Sequence, residues 1–83
     1  MIRPPKQFET RGIIVEIVEV MEYRDMVGRM NFLVAYRIID GHYVSPVAHF
    51  SCSGARELRE KIEQVADHYF ALKPVLRGAG RTR

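Results

Sequence analysis

Eighty-three residues with a formal net charge of +3 and a single cysteine, Cys52, make one small domain and exclude a disulfide framework within the chain. A chain this short buries only about 60% of its unfolded surface, so pairing with a second copy, as a homodimer, is the expected supplement to its own core. No apolar run is long enough to span a bilayer, and Met1–Lys6 carries charge with no uninterrupted apolar segment behind it. A soluble, cytoplasmic protein with no membrane partner is expected.

The charge is unevenly placed. Residues 1–6 and 73–83 hold Arg3, Lys6, Lys73, Arg77, Arg81 and Arg83 and no acid. Residues 7–72 hold seven basic and ten acidic residues, a balance of −3. Cationic ends on an acidic centre point to phosphate or to an acidic surface as a partner.

Residues 1–8 read as a flexible arm, because Pro4-Pro5 favours extended backbone and blocks helix. Residues 11–23 read as a strand: seven of the nine residues Ile13–Met21 are Ile, Val or Met. Ile13, Val15 and Ile17 define one face, and then Glu19 falls on it. A bulge near Val18–Glu19 reconciles the pattern. Glu16, Glu19 and Glu22 then read as a solvated acidic edge that discourages aggregation.

Arg24 to Arg29 is a loop. Met30, Phe32, Val34, Tyr36 and Ile38 alternate through a second strand and form its buried face. Asp40-Gly41 predicts a two-residue hairpin turn. His42 to Phe50 returns as a third strand, and Pro46 places it at a sheet edge. Ser51-Cys52-Ser53-Gly54 closes the sheet and caps a helix, with Glu57 able to reach back. Ala55, Leu58, Ile62, Val65, Ala66, Tyr69 and Leu72 form an apolar stripe of about 120°. Arg56–Glu60, Glu57–Lys61 and Arg59–Glu63 are spaced for ion pairs on the outer face. Lys73-Pro74 stops the helix, and residues 74–83 form a flexible basic tail.

The expected fold class is α+β: a three-stranded antiparallel meander followed by one long amphipathic helix on one sheet face (βββα). The domain spans residues 9–73 between the two basic arms. One helix covers one face, so Leu33, Ala35, Arg37 and Ile39 on the other face are the expected interface.

No residue pattern supports catalysis. Cys52 and His49 form the one nucleophile–base candidate, but in an extended strand they point to opposite faces. His42, His49, Cys52 and His68 match no zinc spacing. No cofactor is expected. The serine-rich helix start lacks the lysine and glycine pattern of a nucleotide loop. The chain is therefore expected to be a small non-enzymatic nucleic-acid-associated protein. Its phosphate contacts would come from Arg3, Lys6, Lys73, Arg77, Arg81 and Arg83, and Tyr43 would be available to stack on a base. DNA and RNA, single-stranded and duplex, stay open. The alternative is a protein-interaction module (an adaptor, an assembly subunit or a small inhibitor) using the uncovered sheet face and the acidic strand.

From Gly28 to Tyr69, a strand, the Asp40-Gly41 turn, a Pro-containing strand and the Ser-capped helix follow one another. In this order the chain resembles the positive-cofactor-four group of single-stranded DNA-binding transcription coactivators. That resemblance implies a dimer binding through basic, aromatic strand surfaces. This chain departs from it on that surface, where Glu16, Glu19 and Glu22 stand.

Overall fold

The structure is a computed structural model that describes residues 6–78, with side chains through residue 75. Five strands and one helix follow in order: β1 Lys6–Thr10, β2 Ile13–Arg24, β3 Met30–Asp40, β4 Tyr43–Val44, β5 Ala48–Cys52 and α1 Ala55–Gly78. All the strands are antiparallel in one sheet. β1 pairs with β2, β2 with β3, and both β4 and β5 with β3. The α+β class and the single C-terminal helix are as expected, but the sheet has more than a three-stranded meander.

The first correction is at the N-terminus. Lys6, Gln7 and Phe8 belong to β1 rather than to an arm, in register with Ile17, Glu16 and Val15. The hidden element is a hairpin centred on Arg11-Gly12. Both residues adopt positive φ (49° and 86°), the signature of a tight turn matched to the sheet's twist. Arginine is an uncommon residue there. Its side chain, however, reaches the helix, pairing with Glu63 at 3.0 Å and Asp67 at 2.6 Å and lying over the Phe70 ring. Residues 1–5 and 79–83, with Arg3, Arg81 and Arg83, lie outside the described residues.

The predicted bulge is present. Ile17 faces Tyr36, yet Glu19 faces Ala35, so Val18 is the extra residue. The insertion reverses which side each later β2 residue faces. Val20 joins Ile17 in the core, and Glu19 turns to the opposite side.

The third predicted strand is broken in two. Pro46 has no N–H for the ladder. Ser45 covers the gap: its hydroxyl accepts from the Ile38 amide at 2.8 Å, and its own amide donates to the Ile38 carbonyl at 2.9 Å. β4 and β5 thus form one interrupted edge, as Pro46 implied. The preceding turn is centred one residue later than expected. Asp40 pairs with Tyr43 across Gly41-His42, and of those two only Gly41 takes positive φ.

The helix begins where expected. Glu57 Oε1 accepts from the Ser53 amide at 2.7 Å. It does not stop at Lys73-Pro74 but runs on to Gly78 with Pro74 inside it. Pro74 removes one backbone hydrogen bond. The turn before it is anchored to the sheet, because Tyr69 donates to Asp40 at 2.8 Å and Lys73 reaches the same carboxylate oxygen at 2.9 Å. The expected ion pairs along the helix are absent among the described residues, and Glu63 is taken by Arg11 instead.

The core lies between α1 and one sheet face. Val15, Ile17 and Val34 pack against Leu58 and Ile62, with Phe32, Tyr36 and Phe50 around them. Ile13 and Ile38 pack against Ala66 and Tyr69. Ile17 is fully buried. Ile17→Ala is expected to cost ~2–5 kcal/mol in a urea titration, whereas Val47→Ala at the exposed edge is expected to stay within ~0.5 kcal/mol of the parent.

Candidate functional site

Strand alternation and the bulge sort every side chain of the sheet. The face away from the helix is covered by no element among the described residues, and the strand registers divide it into bands. At one end Ile14, Ile39 and Val44 lie in line across β2, β3 and β4. The next band is polar: Gln7, Glu16 and Arg37 run across β1, β2 and β3. Glu19, Ala35 and His49 follow, then Met21, Leu33 and Ser51, then Tyr23 and Asn31. Apolar residues therefore stand on both sides of the Glu16–Arg37 band, with exposed Glu19 and His49 next to it on one side and Glu9 beside Ile14 on the other.

The charged band is tightly built. Glu16 is only 9% exposed. Its carboxylate accepts from Arg37 Nε at 2.6 Å and from Gln7 Nε2 at 3.2 Å. The Arg37 hydrogen bond, helped by that of Gln7, holds the Glu16 carboxyl below the usual carboxylate range despite the opposing effect of burial. The expectation of a solvated acidic edge thus fails for Glu16. β2 is an interior strand, flanked by β1 and β3, and only Glu19 and Glu22 remain exposed.

Of the four expected interface residues, Leu33, Arg37 and Ile39 are half-buried on this face. Ala35 lies deeper, at 5% exposure, because a methyl group is shorter than the side chains around it. Met21, Tyr23 and Val44 are more open than any of the four, and the sequence pattern did not single them out.

The expected nucleic-acid contacts are not brought together among the described residues. Lys6 sits exposed on β1. Lys73 is paired with Asp40 and lies over the Phe70 ring. The Tyr43 ring is half-buried and stacked on Tyr69 at 6.2 Å, so its packing partner is the core. Arg77 lies in the last turns of α1.

The chemistry candidates are also separated. Cys52 is buried on the helix side, and burial pushes its thiol up, away from the thiolate. His49 is exposed on the other side of β5. Among the described residues no group of three or more His, Cys, Asp or Glu is placed to hold a metal ion. No helix there is long and apolar enough to cross a membrane.

Two further features were not legible in the residue pattern. The β2–β3 hairpin projects past the start of α1. Its tip is tied by hydrogen bonds: Asp25 Oδ1 accepts from the amides of Val27 and Arg29, Oδ2 accepts from Asn31, and Arg24 donates to the Gly28 carbonyl. This network holds Met26 fully exposed and Val27 at 76% exposure. At the root of the hairpin lies an apolar pocket of about 250 Å³, lined by Val20, Phe32, Val34, Cys52, Ala55 and Leu58. The clue in the sequence was an apolar dipeptide, Met26-Val27, at the centre of a loop between two other methionines.

Comparison with protein-family models, with curated proteins and with solved structures found no match for this chain.

Because the Glu16 carboxyl is lowered in the folded state, its pairing stabilises the fold above the ordinary carboxylate range. That contribution is present above the ordinary carboxylate range and is lost as pH falls through that range and below it. Chemical denaturation above and below that range should show the parent losing more stability than Glu16→Gln. An equal loss in the two proteins would mean that the pair contributes nothing to folding.

Proposed function

We propose that this chain is a non-enzymatic protein-interaction module that docks a partner protein on the open face of its sheet. The observation that carries this reading is the banded surface. Met21, Tyr23 and Leu33 form one apolar patch and Ile14, Ile39 and Val44 the other; between them lie the Glu16–Arg37 pair and exposed Glu19 and His49. From Leu33 to Ile39 the two patches are about 20 Å apart along β3. Rigid strands hold both patches, so docking orders few side chains and loses little conformational entropy. The fitting partner presents two apolar contacts at that spacing and a polar strip between them. Adaptor, assembly subunit and inhibitor are all consistent with such a face.

A photo-crosslinking amino acid at position 33 should capture a discrete partner in the native host, while the same group at position 59 on the outer helix surface should not. Leu33→Glu should then weaken binding of the purified partner ~10-fold or more, with the thermal transition of the chain retained. Equal capture from both positions, or unchanged binding by the variant, overturns the reading.

A second reading rests on a different observation. Six basic residues and no acid lie in residues 1–6 and 73–83, which suits contact with nucleic-acid phosphates. Fluorescence anisotropy with single-stranded DNA, duplex DNA and RNA should then show binding that falls steeply with salt. Removal of residues 79–83 should weaken it on every sequence alike. Affinity insensitive to salt and to that truncation removes this reading.

A further inference from the structure

The helix-facing side of the projecting hairpin carries a self-complementary pattern. Val20 and Phe32 pack at the edge of the core, so Glu22, Arg24 and Met30 share their side by strand alternation. The register sets Val20 opposite Val34, Glu22 opposite Phe32, and Arg24 opposite Met30. Along β2 the order is apolar, acidic, basic. Along β3 two apolar residues, Met30 and Phe32, run beside it. Beyond them stand Met26 and Val27, held in water by the hydrogen bonds of Asp25.

From this we infer that the hairpin clasps a second copy of the chain. In a two-fold arrangement, each hairpin lies antiparallel on the other with these sides in contact. An axis passing between Glu22 and Arg24 brings each Glu22 onto the second copy's Arg24, and each Phe32 onto the second copy's Met30. The same operation carries position 26 to position 20. The Met26 tip therefore arrives at Val20, a wall of the second copy's apolar pocket.

Three independent features meet in this one placement. A closed two-fold contact needs a surface complementary to itself, and opposite charges two residues apart on one strand supply that. An exposed apolar tip needs an apolar recess, and the pocket of about 250 Å³ is one. The tip must also be presented without disorder, which the Asp25 network provides. The clasp uses the helix-facing side of the hairpin and leaves the open sheet face available, so it stands independently of the proposed function.

Sedimentation velocity across a concentration series tests the stoichiometry. The parent should be a dimer, and Met26→Asp should shift its dissociation at least ~10-fold while leaving the circular dichroism spectrum unchanged. Glu22→Arg and Arg24→Glu should each weaken the dimer, and the two together should restore it, because the swap reverses both ends of each contact. Geometry is tested separately by Met26→Cys with Ala55→Cys in a Cys52→Ser background. Positions 26 and 55 lie at opposite ends of the hairpin, so only two copies bring them together. Oxidation should give a disulfide-linked dimer joined between positions 26 and 55. A parent that stays monomeric at every concentration overturns the clasp. So does a dimer that neither Met26→Asp nor the single charge variants weaken.

Discussion

One extra residue, Val18, controls how this sheet presents its side chains. An unbroken alternation from Ile13 would put Glu19 against the helix, and an unpaired carboxylate in an apolar core is costly enough to exclude that register. The bulge removes the conflict by turning the strand over once. Before it, odd-numbered residues of β2 pack under the helix. After it, Val20 does, and Met21 and Tyr23 move to the open side. The projecting hairpin inherits this reversal along its length, so the placement of Glu22 and Arg24 also depends on it.

A second constraint is that one helix serves a sheet wider and longer than itself. α1 is tied down at two places. Arg11, in the β1–β2 turn, reaches Glu63 and Asp67, and Asp40, at the end of β3, holds Tyr69 and Lys73. The exposed ion pairs add little individually, and the Asp40 contacts, less open to water, add more. Their main effect is on orientation. They set the helix over the half of the sheet that holds Ile13 and Ile38, and the hairpin then extends beyond its other end. The apolar pocket follows from that geometry, whereas the bands lie on the other face of the sheet, which the helix does not reach.

The two candidate surfaces use different physics. On the proposed reading, the open face would meet a partner through apolar contact on either side of a strip in which Glu16 and Arg37 are already paired. In the inferred clasp, the hairpin face would match Glu22 to the second copy's Arg24, which within one chain donates to the Gly28 carbonyl. The basic residues at the two ends form a third feature that neither surface uses. Lys73, the one whose contacts are described, already neutralises Asp40.

Much of the fold was legible in the residues. The amphipathic stripe located α1, and the alternation from Met30 to Ile38 located β3 and its helix-facing side, although Met30, expected to be buried, is 41% exposed near the hairpin tip. Glu19, out of phase, located the bulge, and Pro46 marked the edge. Those inferences rest on local rules: side-chain period, backbone chemistry at proline, and the cost of burying charge. β1 was missed because its five residues carry little apolar signal and its turn is built on Arg11-Gly12. The partners of Arg11, Glu63 and Asp67, come from the distant helix and meet it only in the fold. The end of α1 was misplaced for a similar reason, since Tyr69 and Lys73 hold the turn before Pro74 to the sheet. The open face was foreseen from counting one helix against two faces, though not its most exposed members. Met21 and Tyr23 reach that face only because the bulge turns β2 over, and Val44 lies on the short strand β4 at the sheet edge. The sequence by itself determined which residues could pair, pack or turn. Only the tertiary structure decided which of them meet, because contacts across fifty residues depend on where the helix comes to rest.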